Sequence, residues 1–189
     1  MMNKKSFLQK ISLIFILGLI VFQGKSQLFL TNSGESNIFS ETPVENISAI
    51  NKQVASIINI TSGEIAVRIQ NVAFHFPNKL MEEHFNENYM ESSKFPISTF
   101  KGKIQETIDY SKVGTYDVSA KGILEMHGVK KEKILKGKLT VTKEQLTLIS
   151  NFDVKLADYN IEIPTLVMAK IAESINIKSK FILAPKKLQ

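Results

Sequence analysis

The sequence predicts an all-β protein in which antiparallel strands wrap a single apolar interior. Three observations carry this. The dominant hydrophobic period over most of the chain is two, not 3.6. Short turn signals separate the alternating runs, as they do in sandwiches and barrels. The 189 residues contain no internal repeat and no linker long enough to divide them, so one domain accounts for the fold.

In chain order, the first element is a leader. Lys4, Lys5 and Lys10 precede Ile11 to Phe22, 12 residues without a charge. Gly24 and Ser26 then occupy the −3 and −1 positions of a cleavage before Gln27. A positive start, a short apolar core and a small-residue end describe a secretory signal peptide at residues 1–26, with the domain at 27–189. At about 1.5 Å per residue such a helix reaches only about 18 Å, against a bilayer core of roughly 30 Å. A retained signal anchor is the alternative left open. The chain has no cysteine, which excludes a lipoprotein anchor, a disulfide framework and a thiolate metal site. No stable membrane attachment is therefore expected after cleavage.

The leader also explains the charge. The net +6 and the pI of about 9.4 suggest a nucleic-acid or membrane-surface partner. Four of the lysines, however, lie in the first 26 residues, and the remainder carries 20 Lys+Arg against 18 Asp+Glu. Arg68 is the single arginine, a poor endowment for reading phosphates or bases. Nucleic-acid binding is not expected.

The alternating runs follow. A tight turn at Thr61-Ser-Gly-Glu64 leads into Ile65, Val67 and Ile69, which oppose Glu64, Arg68 and Gln70. Asn78 to Asn86 breaks the rhythm: Leu80, Met81, His84 and Phe85 fall at helical spacing behind an Asn cap. Phe100, Ile104 and Ile108 then oppose Thr99, Lys101, Lys103 and Thr107. The clearest strand is Thr115 to His127, with Tyr116, Val118, Ala120, Gly122, Leu124 and Met126 on one face. Leu135, Leu139 and Val141 oppose Lys136, Lys138 and Thr140, ahead of a short turn to Gln145. Leu146, Leu148, Phe152, Val154 and Leu156 share the next apolar face, Ile149 being the exception. A second short helix is expected from Pro164 to Ser174, with proline at its first position. Ile175, Ile177, Phe181 and Leu183 close the series against Asn176, Lys178 and Lys180. Strands with one apolar and one solvated face are most simply antiparallel.

Several of these runs resemble the YceI-like family of periplasmic lipid-binding proteins. Leu124-Glu-Met-His-Gly-Val-Lys-Lys131 resembles the family's Leu-x-x-His-Gly-x-x-Lys signature. Lys94-Phe-Pro-Ile-Ser-Thr-Phe-Lys-Gly-Lys103 is similar to its Pro-x-x-x-Phe strand start, here Pro96 and Phe100. Leu80 to Ser92, and Phe152 to Ile161 followed by Pro164, resemble two further family segments. The likeness spans Leu80 to Pro164 and is weakest before Leu80. It implies an extended eight-stranded antiparallel β-barrel of lipocalin-like shape, with one or two short helices. It further implies export to the periplasm and an elongated apolar interior. The ligands it implies are polyisoprenoids, isoprenoid quinones or fatty-acid derivatives. It carries no catalytic constellation.

A barrel of eight strands has room either for packed side chains or for one small ligand. The small inward residues Gly102, Ala120, Gly122 and Gly137 fit a cavity, and equally a tapering dry core with bends. The expected lining is Phe74, Phe76, Leu80, Phe100, Ile104, Leu124, Met126, Phe152, Leu166 and Phe181. The helices around Leu80 and Leu166 would gate the mouth. His84 shares a helical face with Leu80 and would cap the mouth, by core packing or a hydrogen bond or, as the candidate head-group contact, against a ligand. His75, between Phe74 and Phe76, should point away from them. His127 should face outward at a strand end and brace the turn at Gly128. No histidine pair has metal-ligand spacing, and no esterase elbow, phosphate-cradling loop or dinucleotide fingerprint is present. Neither a cofactor nor a metal is expected.

The resulting expectation is a non-catalytic protein that holds a hydrophobic or amphiphilic small molecule. Two alternatives stay open: an enzyme using the barrel as a reaction chamber, with His84 or Tyr116 as acid or base, and a packed barrel acting as an interaction module. Outward apolar positions such as Ile123 and Ile149 would suit a homodimer.

Overall fold

Eight strands follow one another around a closed barrel. They are β1 (Leu28–Glu41), β2 (Asn46–Asn59), β3 (Glu64–Gln70), β4 (Ile97–Ile104), β5 (Gly114–Met126), β6 (Val129–Val141), β7 (Leu146–Lys155) and β8 (Ser174–Pro185). The computed structural model describes residues 28–164 and 170–186. Every strand pairs antiparallel with the next, and β1 pairs with β8 to complete the circle. Closure leaves no strand edge to template aggregation. Period-two alternation left a sandwich or a barrel open; the chain adopts the closed eight-stranded barrel that the family resemblance implied.

Because strand direction alternates, the connections sort to two ends. The 42–45 turn, the long 71–96 segment, the β5–β6 hairpin and the β7–β8 connection gather at one end. The 60–63, 105–113 and 142–145 turns gather at the other. The interior divides accordingly. In the half bounded by the short turns, Val54, Ile58, Leu139, Val141, Leu146 and Leu183 are at most 1% exposed and meet across the axis. Each such burial is worth about 1.5–3 kcal/mol, so this half anchors the fold and can be spared from binding. The other half is hollow.

The 71–96 segment crosses the hollow end. A one-turn 3-10 helix (Asn71–Ala73) leads to α1 (Lys79–His84), which continues as a single π turn, Phe85–Tyr89. Asn78 caps α1 as expected, its Oδ1 accepting from the Leu80 N–H at 2.9 Å. The second expected helix, Pro164 to Ser174, falls largely on residues 165–169, outside the described residues.

The structure decides one open alternative and corrects one expectation here. Gly102 and Gly122 add no cavity volume: they stand directly opposite each other in the β4–β5 ladder. A Cβ on Gly102 would lie 2.7 Å from the Lys121 carbonyl, and one on Gly122 would strike the Lys101 carbonyl and the Gly102 Cα. These glycines let two strands coil tightly against each other. The run through Ile108 also ends earlier than its alternation implied, because β4 stops at Ile104. Ile108 still packs on the core from the following loop.

Candidate ligand-binding cavity

The hollow half of the barrel encloses a cavity of about 500 Å³. At roughly 30 Å³ per heavy atom, near a water molecule's share of the liquid, it holds on the order of 15 chain carbons. One wall is β3, β4 and β5, presenting Val67, Ile69, Phe100, Ile104, Leu124 and Met126. The facing wall is β6, β7, β8 and β1, presenting Leu135, Leu148, Phe152, Phe181 and Ile38. Both walls exist because the alternation sends every second residue inward.

Nine of the ten expected lining residues border this cavity: Phe74, Phe76, Leu80, Phe100, Ile104, Leu124, Met126, Phe152 and Phe181. Leu166 lies outside the described residues. His84 borders the cavity at its mouth with an exposed ring. The sequence reading missed the β1 contribution, Ser36, Ile38 and Ser40, along with Ser150 and Ser179. The alternation could have revealed Ser150 and Ser179, which fall in phase with Phe152 and Phe181. In β1 no such signal survives, because register shifts flank Gly34.

Aromatic rings pack together at the mouth, which stays partly open. The Phe85 ring sits 5.6 Å from that of Phe74, edge-on, and 5.1 Å from that of Phe76. Leu80 is 55% exposed and lies at the rim. Asn71 fastens the start of the 71–96 segment: its Nδ2 donates to the Phe95 carbonyl at 2.7 Å, and its Oδ1 accepts from Ser98 Oγ at 2.9 Å. His75 points to solvent, with Nδ1 3.5 Å from Glu82, in line with its phase.

His127 departs from expectation. Its side chain is only 9% exposed, because left-handed backbone at His127 (φ 50°) and Gly128 (φ 74°) ends the strand's alternation. The ring turns inward instead of continuing the outward phase. Nε2 lies 2.7 Å from Glu91 Oε2 and Nδ1 lies 3.0 Å from the Tyr159 carbonyl, with the Phe95 ring 4.5 Å away. It ties the β5–β6 turn to two other connections at the mouth, the 71–96 segment and the β7–β8 connection.

Chemically the cavity offers apolar contact and hydroxyls. Tyr89 in its wall is pushed above its ordinary value by burial and stays a neutral hydroxyl. Tyr116 lies elsewhere, its hydroxyl donating to the Lys112 carbonyl at 3.1 Å. Among the described residues no group of three His, Asp or Glu side chains could hold a metal ion.

The chain belongs to the YceI-like domain family, whose model matches residues 20–183. Solved structures share its barrel. A polyisoprenoid-binding domain from Saccharophagus degradans, described as implicated in plant cell wall breakdown, is 17% identical with a TM-score of 0.70, covering 86% of this chain and 100% of its own. BcnA from Burkholderia cenocepacia is 12% identical with a TM-score of 0.68, over 80% of this chain and 96% of its own. The YceI protein of Campylobacter jejuni is 18% identical with a TM-score of 0.57, over 73% and 84% respectively. At such identities the likeness is one of fold. No curated protein sequence matches the chain.

Proposed function

We propose that this protein binds a long-chain amphiphile in the hollow half of its barrel and carries or sequesters it without chemistry. The observation that carries this is the largely apolar cavity of about 500 Å³, blind at the packed half of the barrel, with Phe74, Phe76 and Phe85 packed at its mouth. Burying about 16 methylenes at about 0.8 kcal/mol each is worth roughly 13 kcal/mol, against ordering and association costs of about 4–15 kcal/mol. Chain burial thus supplies most of the affinity, with few polar contacts. Polyisoprenoids, isoprenoid quinones and fatty-acid derivatives fit this space. The description of the Saccharophagus degradans domain as polyisoprenoid-binding supports the first two.

The leader at residues 1–26 supports export to the periplasm, where a carrier would meet lipids shed from either membrane. Catalysis has no support in the cavity walls: His84 is exposed at the rim, and Tyr116 does not border the space. Native mass spectrometry of the mature protein, recovered from an exporting host before and after solvent extraction, tests the proposal. It predicts a hydrophobic adduct that extraction removes and that added amphiphile restores. A protein that never carries or takes up such a molecule contradicts it.

A further inference from the structure

The cavity wall is not uniformly apolar. Reading across the ladders, Ser36 of β1 stands opposite Ser179 of β8, Ser179 opposite Ser150 of β7, and Ser150 opposite Gly137 of β6. All four border the cavity. They form a belt running crosswise over four adjacent strands. Ser36, Ser150 and Ser179 each lie five residues in from the mouth ends of their strands, Glu41, Lys155 and Ser174. At about 3.3 Å per residue that is about 16 Å along the strand. The next layer down is Leu148 opposite Phe181, and below it Leu146 opposite Leu183 seals the packed half.

These hydroxyls are not used up by the fold. Ser36 and Ser179 are 0% and 4% exposed and share one hydrogen bond, Oγ to Oγ at 3.0 Å. Two hydroxyls own two protons, and one bond consumes one. The pair therefore keeps one buried O–H without a protein acceptor among the described residues, beside a cavity that it lines. Ser150 adds a further hydroxyl with no protein partner among them. A buried donor left unmade costs about 1–3 kcal/mol, so the belt is destabilising when dry and apolar-filled. Apolar residues of similar size would close the wall without that penalty. Asn51, opposite Ser36 on the other side, differs: its amide donates to the Gln70 carbonyl and accepts from the Gln53 N–H.

Resting on the cavity reading above, we infer that the Ser36–Ser150–Ser179 belt is a polar subsite for an uncharged oxygen group, a hydroxyl or carbonyl, on a ligand that enters polar end first. Charge is the discriminating feature. Lys136 and Lys170 border the cavity but are exposed, and Arg68 is exposed on the opposite phase of β3 to Val67. Because no buried cation among the described residues faces the belt, a phosphate or carboxylate there would be a buried, unpaired charge, which proteins avoid. A neutral oxygen accepts the spare O–H and is satisfied. The hydrocarbon chain then fills the space between the belt and the Phe74–Phe85 lid.

Competition binding on the solvent-extracted mature protein tests this, with 1-dodecanol, dodecane and dodecyl phosphate each displacing a fluorescent apolar probe. The expected result is that the alcohol outcompetes both others, with an alcohol-to-alkane affinity ratio of about fivefold or more. Replacing the belt (Ser36→Ala, Ser150→Ala, Ser179→Ala together) should bring that ratio close to one. Ser150→Ala alone, which leaves the Ser36–Ser179 pair intact and so secures the fold, should lower it severalfold. A wild-type ratio near one, a phosphate that binds best, or a ratio unmoved by the substitutions overturns the subsite and leaves the carrier function standing. If none of the three displaces the probe, both readings fall.

Discussion

His127 Nε2 lies 2.7 Å from Glu91 Oε2, and both residues hold left-handed backbone, with φ of 50° and 43°. Non-glycine residues reach that region at a cost of roughly 1–2 kcal/mol each. The contact that joins them therefore braces two strained turns at once. The Tyr159 carbonyl facing Nδ1 can only accept, so Nδ1 donates to it and Nε2 is left to face the Glu91 carboxyl group.

His127→Asn separates the pair from the backbone, since asparagine tolerates left-handed φ. Loss of the two hydrogen bonds made by a buried ring predicts a stability decrease of about 1–3 kcal/mol. The lower part of that range applies because Glu91 is 39% exposed. Urea unfolding checks it, and a change under about 0.5 kcal/mol would show the brace to be idle.

Gly122→Ala should destabilise far more than an ordinary surface substitution. Its Cβ would strike the Lys101 carbonyl and the Gly102 Cα, both backbone, so no side chain can swing away. A loss of more than about 2 kcal/mol is expected by the same unfolding measurement. A neutral outcome would mean that β4 and β5 are farther apart than described.

Tyr159 is fully buried, with its hydroxyl lacking a partner among the described residues, and burial, with Asp158 nearby, pushes its pKa up to about 12. In the unfolded chain it titrates near 10. Between these values the unfolded chain has released a proton that the folded chain still holds, so stability falls as pH rises from about 10 to about 12. Tyr159→Phe should shrink that alkaline loss and, at neutral pH, leave stability equal or up to about 1 kcal/mol higher. Unfolding midpoints across pH 8–12 decide this, and a variant clearly weaker at pH 7 would show that the hydroxyl has a partner.

Phe85→Ala removes the ring that links Phe74 and Phe76 across the mouth. If the lid retains the ligand, dissociation in stopped-flow displacement should quicken about tenfold or more, with a smaller change in association. Equal dissociation rates would relocate the exit.

How much of this was legible beforehand depended on whether one residue decided its own placement. The strands from Thr115 to Leu183 were readable because Leu124, Met126, Leu148 and Phe181 alternate cleanly with lysines and threonines. β1 was not: register shifts around Gly34 break its period, and its inner face carries Ser36 and Ser40 in place of apolar residues. Gly34 itself serves a contact about 150 residues away, where a Cβ would lie 2.6 Å from the Phe181 ring. His127 was misplaced because strand phase says nothing after a left-handed turn. The serine belt joins residues from three strands far apart in sequence, and register, not composition, brings them into line.

Ligand binding in the hollow half of the barrel can be blocked from within. Ala120 is buried in the cavity wall, opposite Ile104 on one side and Leu135 on the other. Ala120→Phe would fill that space from within, with a stability change below about 1.5 kcal/mol because the added ring enters a void. Equilibrium titration of extracted wild-type and Ala120→Phe protein with a long-chain alcohol is the direct measurement. One saturable site in the wild type, weakened at least tenfold in the variant, is the predicted result. Equal binding by both proteins, or no saturable binding by the wild type, would contradict it.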